Sequence, residues 1–167
     1  MNRHYTTALY LEKCGILRQY FDRPALTTDV IVGFPGETEE EFAQTERFLE
    51  TVHFSDMHIF KYSKRRGTKA ADMPNQIDPQ IQSVRSEKLI ALGERMKDDF
   101  LEACKDQEQI VLIEEETEID GTKYMTGHSK NYIRCAFEMD GLVPNMVIKG
   151  TINSKLNEEF VFCKRID

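Results

Sequence analysis

Hydrophobic positions change their spacing several times along this chain. Residues 7–21 carry Tyr10, Cys14, Leu17 and Phe21 at helical intervals, which predicts a helix with one buried face ending near Asp22-Arg23-Pro24. From Ala25 to Phe34 the pattern turns continuous: Val30-Ile31-Val32 is apolar at every position, as in a parallel strand covered on both faces. Thr38 with Glu41 three residues on predicts a capping box, and Phe42, Thr45, Leu49 and Val52 give the next helix its inner face. The stretch Asp56 to Tyr62 reads as a second strand, completing a strand–helix–strand unit with a right-handed crossover.

The polar, basic segment SKRRGTKAADMPNQID then predicts a long loop, and helical spacing returns over residues 79–105 through Ile81, Val84, Leu89, Leu92, Met96 and Phe100. Beyond Gln109 the chain breaks into short runs, IVLIEE, TKYMTGH, NYIRCAF, NMVIKGTI and EFVFCKR, separated by turn signals such as Asp120-Gly121 and Asp140-Gly141. The fold class is therefore α/β plus all-β: an α/β unit over residues 1–106, then a small OB-like five-stranded barrel over 107–167. Two parallel strands cannot bury an all-apolar strand on both faces, so the first unit is expected to belong to a larger sheet whose other strands lie elsewhere.

Composition narrows the function classes. The 167 residues include 22 Lys plus Arg against 29 Asp plus Glu, a net charge of −7, which argues against a uniformly basic nucleic-acid coat and leaves room for a local basic surface. No apolar run approaches the roughly 20 residues that span a bilayer, and no signal-peptide pattern opens the chain, so a cytoplasmic location is expected. Cys14, Cys104, Cys135 and Cys163 are too far apart for a CxxC-type cluster and read as buried thiols. His4, His53, His58 and His128 show no zinc-ligand spacing.

Three places offer chemistry. The turn Gly33-Phe34-Pro35-Gly36-Glu37-Thr38 joins a strand's C-terminal end to a helix N-terminus, where glycines admit a ligand to the backbone and free N–H groups attract anions. The same residues equally describe a tight turn before a well-capped helix, with Glu37 serving the helix dipole. Lys61, Lys64, Arg65, Arg66 and Lys69 follow the second strand and should share a rim with that turn, either contacting phosphate or forming a solvated loop. In the barrel, Lys123, Tyr124, His128, Lys130, Asn131, Tyr132 and Arg134 interleave basic and aromatic groups, as base stacking with phosphate contact requires. Against this, residues 107–167 hold 7 basic and 11 acidic side chains, so binding needs a one-sided face.

Taken together, MNRHYT, TTDVIVGFPGETEEEF, HIFKYSKRRGTKAADM and GHSKNYIR resemble the C-terminal part of the radical S-adenosylmethionine (SAM) tRNA methylthiotransferases. The likeness extends over nearly the whole chain and is nearest to the MtaB-type branch of this MiaB-like family, which modifies threonylcarbamoyladenosine beside the anticodon. It implies the late strands and helices of a partial (β/α) radical SAM barrel, followed by an RNA-binding TRAM barrel. It also implies SAM and [4Fe-4S] clusters as cofactors of the full-length enzyme, the catalytic cluster being held by CxxxCxxC, and the tRNA anticodon loop as partner. By the same resemblance Ile31, Val32, Gly33 and Phe34 border SAM, and Tyr62, Ser63 and Arg65 match the YSxRxGT element at the same mouth. Arg66 stands where many relatives carry proline. The RNA-contacting set is then Lys64, Arg65, Lys123, Lys130, Asn131, Tyr132 and Arg134.

The chain departs from that family in having no CxxxCxxC, and MNRHYT corresponds to an internal segment of full-length members. Met1 is thus expected to fall inside the family's full length, with the N-terminal portion of the same enzyme as a missing partner. Without thiolates to hold a cluster, the isolated chain is expected to be catalytically inert, keeping half a cofactor pocket and an RNA-binding barrel. The alternatives are a stand-alone RNA-binding or assembly module and an unrelated nucleotide-binding α/β protein.

Overall fold

In the computed structural model, which describes residues 3–166, the chain falls into two compact units that divide after Phe100. Met1 and Asn2, on which the expectation about the chain's start rests, lie outside the described residues.

The first unit contains α1 (Thr7–Tyr20), β1 (Thr27–Val32), α2 (Glu39–Val52), β2 (Asp56–Lys61) and α3 (Pro79–Ala103), the last running on past the division. β1 and β2 pair in parallel with Val30 opposite Ile59 and Ile31 opposite Phe60. Alternation along the strands sends Val30, Val32 and Met57 into a core completed by Phe42, Leu49 and Val52 of α2 and Leu89, Leu92 and Met96 of α3. α2 starts at the predicted capping box, with Thr38 Oγ accepting from the Glu41 amide and the Glu41 carboxylate accepting from the Thr38 amide. Donation to that carboxylate by the Thr38 amide first, and by the Thr38 hydroxyl second, holds the Glu41 carboxyl below its ordinary pKa.

Two expectations are corrected here. The all-apolar strand is covered on one face only: Val32 is 1% exposed, whereas Ile31 and its partner Phe60 stand 37% and 51% exposed on the other face. Among the described residues the sheet has just these two strands, too narrow to bury both sides. Likewise α1 buries Cys14 and tucks Tyr10 between Phe48 and Phe54, but Leu17 and Phe21 are exposed because nothing described lies over that end of the face. The predicted loop after β2 is interrupted by one 3₁₀ turn, Lys69–Asp72, capped by the Thr68 hydroxyl.

The second unit is a closed barrel of β3 (Glu108–Ile119), β4 (Thr122–Ser129), β5 (Arg134–Phe137), β6 (Val147–Lys155) and β7 (Val161–Ile166), in the order β3-β4-β5-β7-β6. All pairings are antiparallel except β5 with β7. Val111, Ile113, Met125, Cys135, Phe137, Ile152 and Cys163 point inward. β3 runs well past the apolar IVLIEE segment because the acidic residues that follow lie on the solvent side, and Ile119 returns to the interior. Residues 131–133, expected to open a strand, instead form a turn: Ser129 Oγ accepts from the Asn131 and Ile133 amides, and the Tyr132 amide donates to Ser129 O.

A bulge in β3 lies between Ile113, opposite Gly127, and Glu115, opposite Thr126, leaving Glu114 without a cross-strand partner. Gly127 makes it possible, since a Cβ there would fall on the Leu112 carbonyl oxygen. Gly127→Ala should therefore destabilise the barrel by about 2–3 kcal/mol through backbone displacement, whereas Gly15→Ala, in open space on α1, should stabilise by up to about 1 kcal/mol. Denaturant unfolding of the full chain separates the two outcomes; equal effects would contradict the close approach at Gly127.

Candidate functional site

The turn after β1 is locked from within. Gly33 and Gly36 adopt φ of +72° and +86°, and a Cβ on Gly33 would overlap the Gln82 side chain. The Glu37 carboxylate reaches back to accept from the Gly33 amide at 2.7 Å and receives Arg85 Nη1 at 2.6 Å through the same oxygen. Arg85 also donates to the Glu37 carbonyl and to Glu39 at 2.8 Å, and its guanidinium packs over the Phe42 ring with 6% of its side chain exposed. Burial presses its pKa down, but hydrogen bonds to Glu39 and Glu37 and their charges outweigh this and raise it, so Arg85 stays charged. With the Gly33 and Thr38 amides satisfied by glutamates, and Glu39 and Glu40 beside them, this helix start offers an anion little. The expectation of free N–H groups there gives way to a capped, carboxylate-filled turn.

Around it, the residues expected to border SAM have divergent environments. Val32 is in the core and offers its carbonyl to the Tyr62 amide at 2.8 Å; Ile31 lies on the open face; Gly33 is buried in the turn. Phe34 and Tyr62 meet edge to face, 5.4 Å between centroids, at the C-terminal ends of the two parallel strands. The Tyr62 hydroxyl is buried without a hydrogen-bond partner, a polar atom left unsatisfied. Ser63, Lys64, Arg65 and Arg66 continue onto the exposed loop. This arrangement fits the edge of a small polar ligand. It does not fit an iron–sulfur cluster: among the described residues no group of three or more His, Cys, Asp or Glu is gathered, and the four cysteines are individually buried. Burial pushes the Cys14 thiol up, and hydrogen bonding to Cys163 followed by burial does the same at Cys135, opposite to what a thiolate ligand needs.

On the barrel, cross-strand register aligns Val147, Leu112, His128 and Arg134 in one row on the outer surface of β6, β3, β4 and β5. Val147, Leu112 and His128 of that row, with Ile110, Glu114, Ser129, Lys130 and Tyr132, line a groove of about 440 Å³. The Glu114 carboxylate lies 2.7 Å from His128 Nδ1; an ionised carboxylate only accepts, so Nδ1 carries the hydrogen. Tyr132 is 83% exposed, its ring 5.5 Å from the His128 ring, and it is held at φ +61° by the bonds to Ser129. A bulky residue in that region carries strain, which concentrates where a side chain is presented for use.

Within the barrel, the residues expected to contact RNA are therefore not all in one place. Lys130 and Tyr132 line the groove, and Asn131 sits in the turn between them. Arg134 shares the row but is paired with Glu159, its guanidinium 4.1 Å over Phe160. Lys123, toward the other end of β4, is bound to Glu116 at 2.6 Å, which raises its pKa. Lys64 and Arg65 belong to the first unit. Ile110, Leu112, Glu114 and Val147 escaped sequence reasoning because they come from strands remote from the aromatic–basic stretch. The available signal was the IVLI run: in a one-sided strand its alternate members, Ile110 and Leu112, leave apolar groups facing water.

No family model matches the chain. It is 37% identical over 140 residues to "Threonylcarbamoyladenosine tRNA methylthiotransferase MtaB" of Bacillus subtilis, covering 83% of this chain and 31% of that protein. It is 47% identical over 96 residues to the "tRNA-2-methylthio-N(6)-dimethylallyladenosine synthase" of Caldicellulosiruptor saccharolyticus, 58% of this chain and 20% of the relative. The synthase of the same name from Acetivibrio thermocellus is 34% identical over 154 residues, 92% of this chain and 32% of the relative. The chain thus spans about a third or less of the length of these relatives.

Removing the shared carboxylate tests the locked turn. Glu37→Ala strands a buried guanidinium and the Gly33 amide, and should cost about 3–5 kcal/mol in denaturant unfolding. Glu39→Ala, whose carboxylate is mostly in water, should cost far less. Similar losses for the two would show that Glu37 does not hold the turn.

Proposed function

The chain is homologous to the tRNA methylthiotransferases, matching a C-terminal fragment of that family, and from this we propose that it works as the tRNA-gripping, cofactor-flanking part of such an enzyme. On this reading residues 1–106 are the late wall of a partial (β/α) radical SAM barrel, and residues 107–167 are an OB-like TRAM barrel. The open face carrying Ile31 and Phe60 turns toward the missing N-terminal portion, and Phe34 with the unpartnered Tyr62 hydroxyl borders SAM. When bound to the complete enzyme, SAM and its clusters would supply radical activation of the base and the methylthio group. This chain's own part is to bind and orient the anticodon loop, at threonylcarbamoyladenosine given the MtaB relative. On the same reading the chain works on tRNA in the cytoplasm; no described helix is long and apolar enough to cross a membrane.

The observation that carries this reading is the groove of the barrel, where an exposed aromatic held in a strained conformation stands beside Lys130, which has no ion-pair partner among the described residues. A second reading is a stand-alone RNA-binding module, and the absence of a gathered thiolate set among the described residues does not separate it from the first. Both readings expect the isolated chain to bind tRNA without cleaving SAM, and reductive SAM cleavage by this chain after supply of iron and sulfide would contradict both.

The salt dependence of tRNA affinity is the direct test. Lys130→Ala should flatten the slope of log K against log salt by about one unit, and Arg134→Ala, already neutralised by Glu159, by less. Tyr132→Ala should weaken binding roughly tenfold at every salt concentration. No measurable tRNA affinity at low salt would remove the proposal.

A further inference from the structure

Within the RNA-binding reading above, on which this inference rests, we propose that the barrel groove takes one unpaired guanine base, read on its Watson–Crick edge by Glu114. The sign of charge at the site decides which part of a nucleotide enters. A phosphate would meet the Glu114 carboxylate and is repelled; a base edge that donates hydrogen bonds is drawn to it. The floor of Ile110, Leu112 and Val147 suits a base's flat apolar surface, the Tyr132 and His128 rings offer stacking, and Lys130 at the rim is left for the adjoining phosphate.

The choice among bases follows from donor geometry. Guanine presents N1–H and the 2-amino group side by side, two donors matching the two oxygens of a carboxylate. Adenine and cytosine each set one amino donor beside a ring-nitrogen acceptor, and uracil flanks its single N–H with two carbonyls; each would press a lone pair toward Glu114. His128 does not use up the acceptor: its Nδ1–H takes one lone pair of Oε2, leaving Oε1 and the second lone pair free, and it fixes the carboxylate's orientation. Local structure aims the carboxylate. Glu114 is the extra residue of the β3 bulge, without a cross-strand partner, and it continues the outward-facing series of Ile110 and Leu112 toward the groove. The close approach that Gly127 allows beneath it therefore bears on recognition as well as on stability.

Fluorescence anisotropy of the full chain with labelled uridine hexamers differing at one central position tests this. Guanosine should bind best, inosine, which lacks the 2-amino group, less well, and adenosine about tenfold or more weaker than guanosine. Glu114→Gln should bring the guanosine-to-adenosine ratio close to one, while Tyr132→Ala should weaken every hexamer alike and keep the ratio. Equal affinity for guanosine and adenosine in the unaltered chain, or a ratio unchanged in Glu114→Gln, overturns the guanine assignment and leaves RNA binding intact. Failure to bind any hexamer overturns the assignment together with the RNA reading beneath it. The comparison among hexamers needs no variant, so it stands even if Glu114→Gln perturbs the fold.

Discussion

A guanidinium with 6% of its side chain exposed cannot stand unpaired, and the pairing of Arg85 with Glu37 and Glu39 dictates how the first unit is assembled. Through one oxygen of Glu37 it ties α3 to the turn that ends β1, and that same oxygen closes the turn on the Gly33 amide. The strand end, the start of α2 and the first turns of α3 are thereby fixed together. Phe34 and Tyr62 are presented at the strand ends because this junction cannot relax independently of the core. The network also fills with carboxylates a helix start that would otherwise attract anions.

In the barrel the corresponding constraint is steric. Where Gly127 lacks a Cβ, the Leu112 carbonyl comes close enough for β3 to carry an extra residue, Glu114, which faces outward with Ile110 and Leu112 and is free of a cross-strand partner. Closure of the five strands then lays Val147, Leu112, His128 and Arg134 side by side. A unit with more acidic than basic side chains thus acquires one face with a mixed, base-sized character, while several of its other charges are paired locally: Lys123 with Glu116, Lys149 with Glu108, Arg134 with Glu159. Net charge is a poor guide here, since it averages over faces that a ligand never sees together.

Much of the fold was legible in the chain because it depends on short-range order. The capping box at Thr38 and Glu41, the parallel pair of strands and the periodicity of α3 are each written within a few residues of where they act. The departures came where burial depends on a covering surface not found among the described residues or on turns closed by single side chains. Leu17, Phe21, Ile31 and Phe60 have apolar character, but only a covering surface could bury them. Residues 131–133 have strand-like composition, yet the Ser129 hydroxyl captures two amides and diverts them into a turn.

Homology to the tRNA methylthiotransferases was legible in sequence alone, and local motifs such as VIVGFPGE and YSKRRGT signal it without reference to what surrounds them. Tertiary structure decided what those residues can do. Sequence distance gives no sign that Arg85 lies against Glu37, 48 positions away, or that Glu114 lies against His128 across a bulge. Charges pair and grooves form through space, so the contents of the turn and the donor preference of the barrel emerge only when the chain is folded.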